Sequence, residues 1–342
     1  MNYGKITPLL NLYDGKIILA ACKLGIFEKL SNEKMTAKEI AISLNLDFDY
    51  TKDFMLLLKK IGVVLQNDQY FYNTEEALTY LNSKSKYFLK NLLLSLSTWG
   101  DHWNYIDEAV KFGKSAVELI NSSSSNDTWT QLFSNQERVS SFLGAMTEKS
   151  KIHSDWIIDN ISINDNEVLV DCGGGSGNLL VSLLNKFNIS KAILFERIEI
   201  IELLKKELNT RFSNIQSRIQ LKDGDFFKPS TIPENGTTYI LSWILHNWKD
   251  ADAHLILKNL NERMSETSKL IVFDTVVPFE AISDQTEIVG RFSMKLYFGS
   301  SERNYQDFKE LFEKSNFIIE KYIQKPSEPT KALFILKKIN VK

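Results

Sequence analysis

The stretch Glu167 to Leu180, EVLVDCGGGSGNLL, constrains the fold more than any other. An apolar run ends in Asp171 and Cys172, the five positions 173–177 hold four glycines, and an apolar helix pattern begins. Physically this is a buried strand, a tight turn whose backbone lets a ligand approach closely, and a helix whose free N–H groups face that ligand. A glycine cluster alone marks only a turn; the rest of the chain decides what the turn is for.

From Ile161 onward strands and helices alternate. The patterns predict strands at Val168–Val170, Ala192–Phe195, Ile219–Leu221, Tyr239–Trp243 and Leu270–Phe273, and helices at Asn178–Phe187, Ile198–Leu208 and Asp250–Met264. That alternation is the mark of an α/β doubly wound, Rossmann-like sheet with helices on both faces. Toward the end, a helix at Phe308–Ser315 and strands at Phe317–Tyr322 and Ala332–Lys337 predict an antiparallel edge on an otherwise parallel sheet.

The N-terminal part reads differently. Apolar residues recur at helical spacing from Leu9 to about Leu30, Thr36 and Glu39 form a capping-box pattern, a second helix runs from Tyr50 to Ile61, and Gly62 stops it. Val63–Gln66 and Tyr70–Tyr72 flank Asn67-Asp68 as a small hairpin, completing a winged-helix order. Residues 1–83 hold nine lysines, no arginine and ten acids, whereas a reader of DNA needs a basic face. This domain is therefore expected to bind protein rather than nucleic acid. The N-terminal helix is more apolar than so small a domain can cover, which predicts a two-fold homodimer.

Three domains result: 1–83, a winged-helix dimerisation domain; 84–160, a helical linker contributing to a substrate pocket; and 161–342, the ligand-binding catalytic domain. The linker carries Trp99, Trp103, Trp129, Phe133, Phe142 and Met146 and an exposed polar loop, NSSSSN, at 121–126. No apolar run is long enough to span a bilayer, and the first residues lack a secretory pattern. Cys22 and Cys172 form no metal or disulfide motif. A cytoplasmic protein with no metal and no membrane partner is expected.

A dinucleotide-binding turn needs a third glycine where this chain has Asn178, and a phosphate-gripping loop needs a Gly-Lys-Ser/Thr that is missing. A ligand without phosphates fits better. Glu196, ending the second strand, suits a ribose because a carboxylate accepts from both hydroxyls. Asp225 and Phe226, after the third strand, offer an acid for an adenine amino group and a ring for its face. S-adenosylmethionine combines these features.

The passage Leu245-His246-Asn247-Trp248, with the glycine turn, the acid and the Gly224-Asp225-Phe226-Phe227 run before it, resembles the class I O-methyltransferases of plant and microbial secondary metabolism, the group of caffeate and isoflavone O-methyltransferases. The likeness covers nearly the whole chain, since those enzymes also join a winged-helix dimerisation domain through a helical linker to a Rossmann-like catalytic domain. It implies His246 as general base, with Asp274 and Glu302 flanking and orienting it. It implies cofactor contacts from Asp171, Gly173, Gly175, Gly177, Glu196, Asp225, Phe226 and Ser242, and a substrate pocket lined by Phe142, Met146, Trp243 and Met294. Three positions depart from the family pattern: Glu196 replaces its usual aspartate, Ser242 replaces a lysine common in plant members, and Asn304 follows Glu302-Arg303.

The expected activity is methyl transfer from S-adenosylmethionine to a phenolic hydroxyl of a small aromatic, secondary-metabolite or polyketide-type substrate, leaving S-adenosylhomocysteine. Relatives that use the cofactor for hydroxylation, decarboxylation or cyclisation provide one alternative. A winged-helix regulator that senses the cofactor is a second, disfavoured by the acid-balanced first domain.

Overall fold

A computed structural model of the chain describes residues 14–89, 91, 93, 100–120, 129, 133, 136–278 and 285–339. The described residues divide into two compact units. The first reaches residue 101 and includes 144–149; the second comprises the remainder. Residues 9–13 of the expected first helix and the polar loop at 121–126 lie outside the described residues.

In the first unit, helices Asp14–Leu24 and Ile26–Lys29 are separated by Gly25 at φ 75°. Thr36 caps helix Ala37–Leu44: its hydroxyl accepts the Glu39 N–H at 3.2 Å, and Glu39 accepts the Thr36 N–H at 2.8 Å. Such a cap is worth about 1 kcal/mol. Asp47 caps helix Phe48–Ile61, and Gly62, at φ 93°, ends it in the left-handed conformation that glycine adopts most cheaply. The hairpin is β2 (Val64–Asn67) and β3 (Tyr70–Asn73), and a two-residue strand β1 (Met35–Thr36), not predicted, pairs with β3. Ile26, Phe27, Ile40, Met55, Leu58 and Phe71 fill the core.

The second unit is built on seven strands: β4 (Val168–Cys172), β5 (Lys191–Glu196), β6 (Ile219–Asp223), β7 (Thr238–Ser242), β8 (Lys269–Thr275), β9 (Phe317–Lys325) and β10 (Glu328–Lys338). Their order is β6-β5-β4-β7-β8-β10-β9. The first five pair in parallel, and β10 is antiparallel to both β8 and β9. The antiparallel strand is thus inserted one place in from the edge, and β9 outside it runs in the common direction.

Period-two alternation sorts the strand residues into two cores. Leu169, Leu194, Ile240, Ile271 and Phe273 pack on one face against Leu180, Leu183 and Ile201 of helices Asn178–Lys186 and Ile198–Lys206. Val170, Phe195, Tyr239, Leu241 and Val272 pack on the other against Ile256 and Leu260 of helix Asp250–Arg263 and Phe308 and Phe312 of helix Tyr305–Lys314. Each such side chain contributes roughly 1.5–3 kcal/mol by leaving water, which is why these strands read as unbroken apolar runs. The strand order reverses at β4, so the carboxyl ends of β4 and β7 open the crevice where ligands bind in such sheets. A helix at Gln285–Phe298, not predicted, follows β8. Among the described residues no helix is long and apolar enough to cross a membrane.

Candidate active site

The turn after β4 is shaped by what lies against it. Gly173 has φ 74°, and a Cβ there would come within 2.5 Å of the Ile244 side chain and 3.3 Å of the Phe226 ring. Gly174 is closed off from beneath, where a Cβ would meet Asp171 Oδ2 at 2.5 Å. Gly175 and Gly177 also take positive φ, 55° and 75°. Gly175 donates its N–H to Glu196 Oε2 at 3.0 Å, and Arg197 donates its own to Oε1 at 2.8 Å, which fixes the carboxylate at the end of β5 beside the turn. Asn178, where a dinucleotide fold would carry glycine, donates to Ser150 and Ser154 Oγ, each at 3.3 Å, tying the turn to helix Gln136–Asp159.

Asp171 is 1% exposed, and its Oδ2 has no hydrogen-bond partner among the described residues. Burial, with the neighbouring Glu196 charge adding to it, pushes its carboxyl up to about 7. Burial also raises Glu196, partly offset by the N–H groups of Arg197 and Gly175.

Asp225 holds its own loop: Oδ1 accepts the Phe227 N–H at 2.9 Å, and Oδ2 lies 3.7 Å from Lys228 Nζ. Phe226 packs edge-on against Phe195 at 5.7 Å, and Asn259 anchors its carbonyl at 2.8 Å. The Phe226 ring thus stands at the mouth of the turn, where it can cover the face of a planar group. Ser242 ends β7, in register with Phe273.

Next along the chain Trp243 takes φ 59°, a conformation costly for a bulky side chain and found where surrounding structure imposes it. Its N–H is held by the Phe273 carbonyl at 2.9 Å and its own carbonyl by Asn247 Nδ2 at 2.9 Å. The reversal leads into the single helical turn Leu245–Asn247 and buries His246, whose ring lies 5.3 Å from that of Trp243. His246 Nδ1 lies 3.8 Å from Asp274 Oδ1 and 3.9 Å from Glu302 Oε1. Asp274 Oδ2 also accepts the His246 backbone N–H at 3.2 Å, while Oδ1 accepts that of Thr275 at 2.8 Å. The imidazole is thus buried with both carboxylates on its Nδ1 side, and Nδ1 makes no hydrogen bond among the described residues.

The structure thus gathers His246, Asp274, Glu302 and Trp243 in one cluster and Asp171, Gly173, Gly175, Glu196 and Phe226 in another, with Gly177 opening the helix after the turn. Phe142 belongs to an aromatic group: Trp129 lies 5.8 Å from Phe142, 5.3 Å from Phe298 and 6.2 Å from Trp248. Met294 lies one turn before Phe298 on its helix. Met146 falls in the 144–149 segment that belongs with the first unit. Ile244 over Gly173, and Phe298, were missed from sequence; Ile244 carried a weak signal, standing between two site residues in the Ser242–His246 run.

Residues 103–318 match the O-methyltransferase domain family, and residues 9–83 match the O-methyltransferase dimerisation domain. The chain is 24% identical over 326 residues to the mitomycin biosynthesis 6-O-methyltransferase of Streptomyces lavendulae, covering 94% of this chain and 91% of that one. It is 23% identical over 309 residues to the acetylserotonin O-methyltransferase of Bos taurus, covering 88% of each. The structure of human N-acetylserotonin methyltransferase in complex with S-adenosylmethionine superposes with a TM-score of 0.85 at 18% identity, over 99% of both chains.

Proposed function

The chain belongs to the O-methyltransferase family and carries that family's dimerisation domain, and from this premise we propose that it is an S-adenosylmethionine-dependent enzyme methylating a phenolic hydroxyl of a small aromatic acceptor. The observation that carries the reading is His246, buried beside Trp243, with Asp274 and Glu302 on one ring nitrogen.

The residues of the glycine turn fit the cofactor. The backbone of the glycine turn and the Phe226 ring beside it suit its amino-acid tail and adenine, with Asp171 beneath the turn and Gly175, Gly177 and Ser242 alongside. Glu196 suits its ribose, and Asp225 its adenine amino group. When bound, S-adenosylmethionine supplies an electrophilic methyl group and leaves as S-adenosylhomocysteine.

The protein's own part is proton management and positioning. The two carboxylates favour the tautomer with the proton on Nδ1, leaving the Nε2 lone pair to take the acceptor's phenolic proton. They then offset the imidazolium charge at a largely buried ring, where such stabilisation is stronger than in water. Phe142, Trp243 and Met294 line the acceptor side in this reading, and the aromatic group around Trp129 supports a flat substrate. The division into 1–83, 84–160 and 161–342 goes with it, as does a cytoplasmic homodimer joined through the N-terminal domain. Exposed apolar side chains on the first unit, including Ile42, Tyr50 and Leu57, support the dimer.

The test incubates the protein with labelled S-adenosylmethionine and catechol, quercetin or N-acetylserotonin, with mass spectrometry of the products. A methylated phenol and S-adenosylhomocysteine are expected, with His246→Gln lowering turnover about a hundredfold while retaining cofactor binding. A hydroxylated or decarboxylated product would overturn the reading, and so would unchanged turnover in His246→Gln.

A further inference from the structure

The extended segment 300–303 meets the His246 loop at more places than Glu302 alone. Arg303 is 4% exposed and spends its guanidinium on that loop: Nη1 donates to the Leu245 carbonyl at 2.7 Å, Nη2 to the Trp248 carbonyl at 2.8 Å, and Nε to Asp250 Oδ1 at 2.9 Å. Ser300 Oγ donates to the carbonyl of His246 itself at 2.7 Å. The segment is in turn fastened to the end of β8, where Arg303 bridges Val276 in parallel and its carbonyl accepts the Val277 N–H at 2.9 Å.

The backbone around the imidazole is therefore held on every side. Asp274 takes the His246 N–H, Ser300 supplies a donor to its carbonyl, and Arg303 spans the carbonyls just before and two residues after it. Nothing in ordinary turn formation requires a buried cation here. Removing Arg303 from water is costly, and Asp250, its ion-pair partner at 2.7 Å, has a side chain 88% exposed. A planar fork is also the cationic group able to address two carbonyls and a carboxylate at fixed angles; an ammonium is a point charge without that geometry.

We propose that Arg303, assisted by Ser300, is a positioning residue for the general base: it clamps the loop Leu245–Asp250 so that the His246 ring stays between the Glu302 and Asp274 carboxylates and the acceptor. Because Glu302 and Arg303 are consecutive on one pinned segment, the segment that brings the carboxylate to the ring also fixes the ring's own backbone. This rests on His246 being the base.

A double-mutant cycle tests it, using S-adenosylmethionine and the fastest acceptor of the three phenols above, with turnover expressed per cofactor-binding site so that unfolded protein does not count. Arg303→Lys is expected to lower kcat about tenfold or more, since small misplacements of a reacting group cost that much, with the KM for S-adenosylmethionine nearly unchanged. In a His246→Gln background the same change is expected to cost less than about twofold, because a clamp has nothing left to position. Ser300→Ala, which leaves the guanidinium in place, should show the same pattern at smaller size and serves if Arg303→Lys does not fold. Equal losses in both backgrounds would overturn the clamp alone. Wild-type turnover in His246→Gln would overturn the base assignment, and the clamp with it.

Discussion

The carboxyl of Asp171 fills the space that a side chain on Gly174 would need, with Oδ2 only 2.5 Å from where the Cβ would stand. Asp171 is enclosed, so it cannot swing away without breaking the packing under the turn. Gly174→Ala is therefore expected to shift the turn and weaken S-adenosylmethionine binding at least tenfold, at a stability cost of roughly 1–3 kcal/mol typical of overpacking. Calorimetric titration with S-adenosylhomocysteine, together with thermal unfolding, measures both. Parental affinity in the variant would mean that the turn is not shaped by this contact.

The same carboxyl links folding to pH. Its ordinary value of 3.8 is raised to about 7 by burial and then by Glu196. A carboxyl raised on folding favours the protonated native state. Its contribution to stability is full below the unfolded value and is lost as pH rises through about 7. Asp171→Asn, which stays neutral, should therefore be close to the parent near pH 4, already more stable than it at pH 5, and most favoured at pH 8. The shift corresponds to a ceiling of about 4 kcal/mol at the upper end. Thermal unfolding of the cofactor-free protein across that range checks the sign; a parent that gains stability relative to the variant as pH rises would contradict it.

Chain order and local pattern carry much of this molecule. Strands β4, β5, β7 and β8 are buried along most of their length, so each appears as an apolar run, whereas the edge strand β6 is half-buried at most; Thr36, Asp47 and Gly62 announce helix ends through side chains or φ preference. What escaped detection has physical reasons. Met35–Thr36 is a strand only because Phe71 and Tyr70 lie beside it, and two residues have no period to read. The place of β10 inside β9 depends on pairing with β8, a contact made across more than fifty residues. At the site, the histidine and the two acids that the structure brings together could be named in advance because ionisable side chains are visible in a sequence. The hold of Arg303 on the His246 loop could not be read, because its partners include backbone carbonyls, which every residue possesses.

The two carboxylates near His246 differ in how they can be probed. Asp274 is fully buried and accepts two backbone N–H groups, those of His246 and Thr275, so Asp274→Asn puts an amide where an acceptor is needed and should cost stability as well as rate. Glu302 lies 3.9 Å from His246 Nδ1 at the rim of the cluster, its side chain 11% exposed, so Glu302→Gln removes a charge with less disturbance to the core. Glu302→Gln is expected to keep the parental melting temperature within a few degrees and lower kcat about tenfold. Asp274→Asn should lower kcat by a similar or larger factor and destabilise by roughly 1–3 kcal/mol. If both acids act only by orienting and stabilising the imidazole, neither change should compound with His246→Gln, as in other catalytic groups that work as a unit. Steady-state kinetics on the single and double variants, with melting curves for each, decide it; full additivity would mean that the acids act on something other than the base.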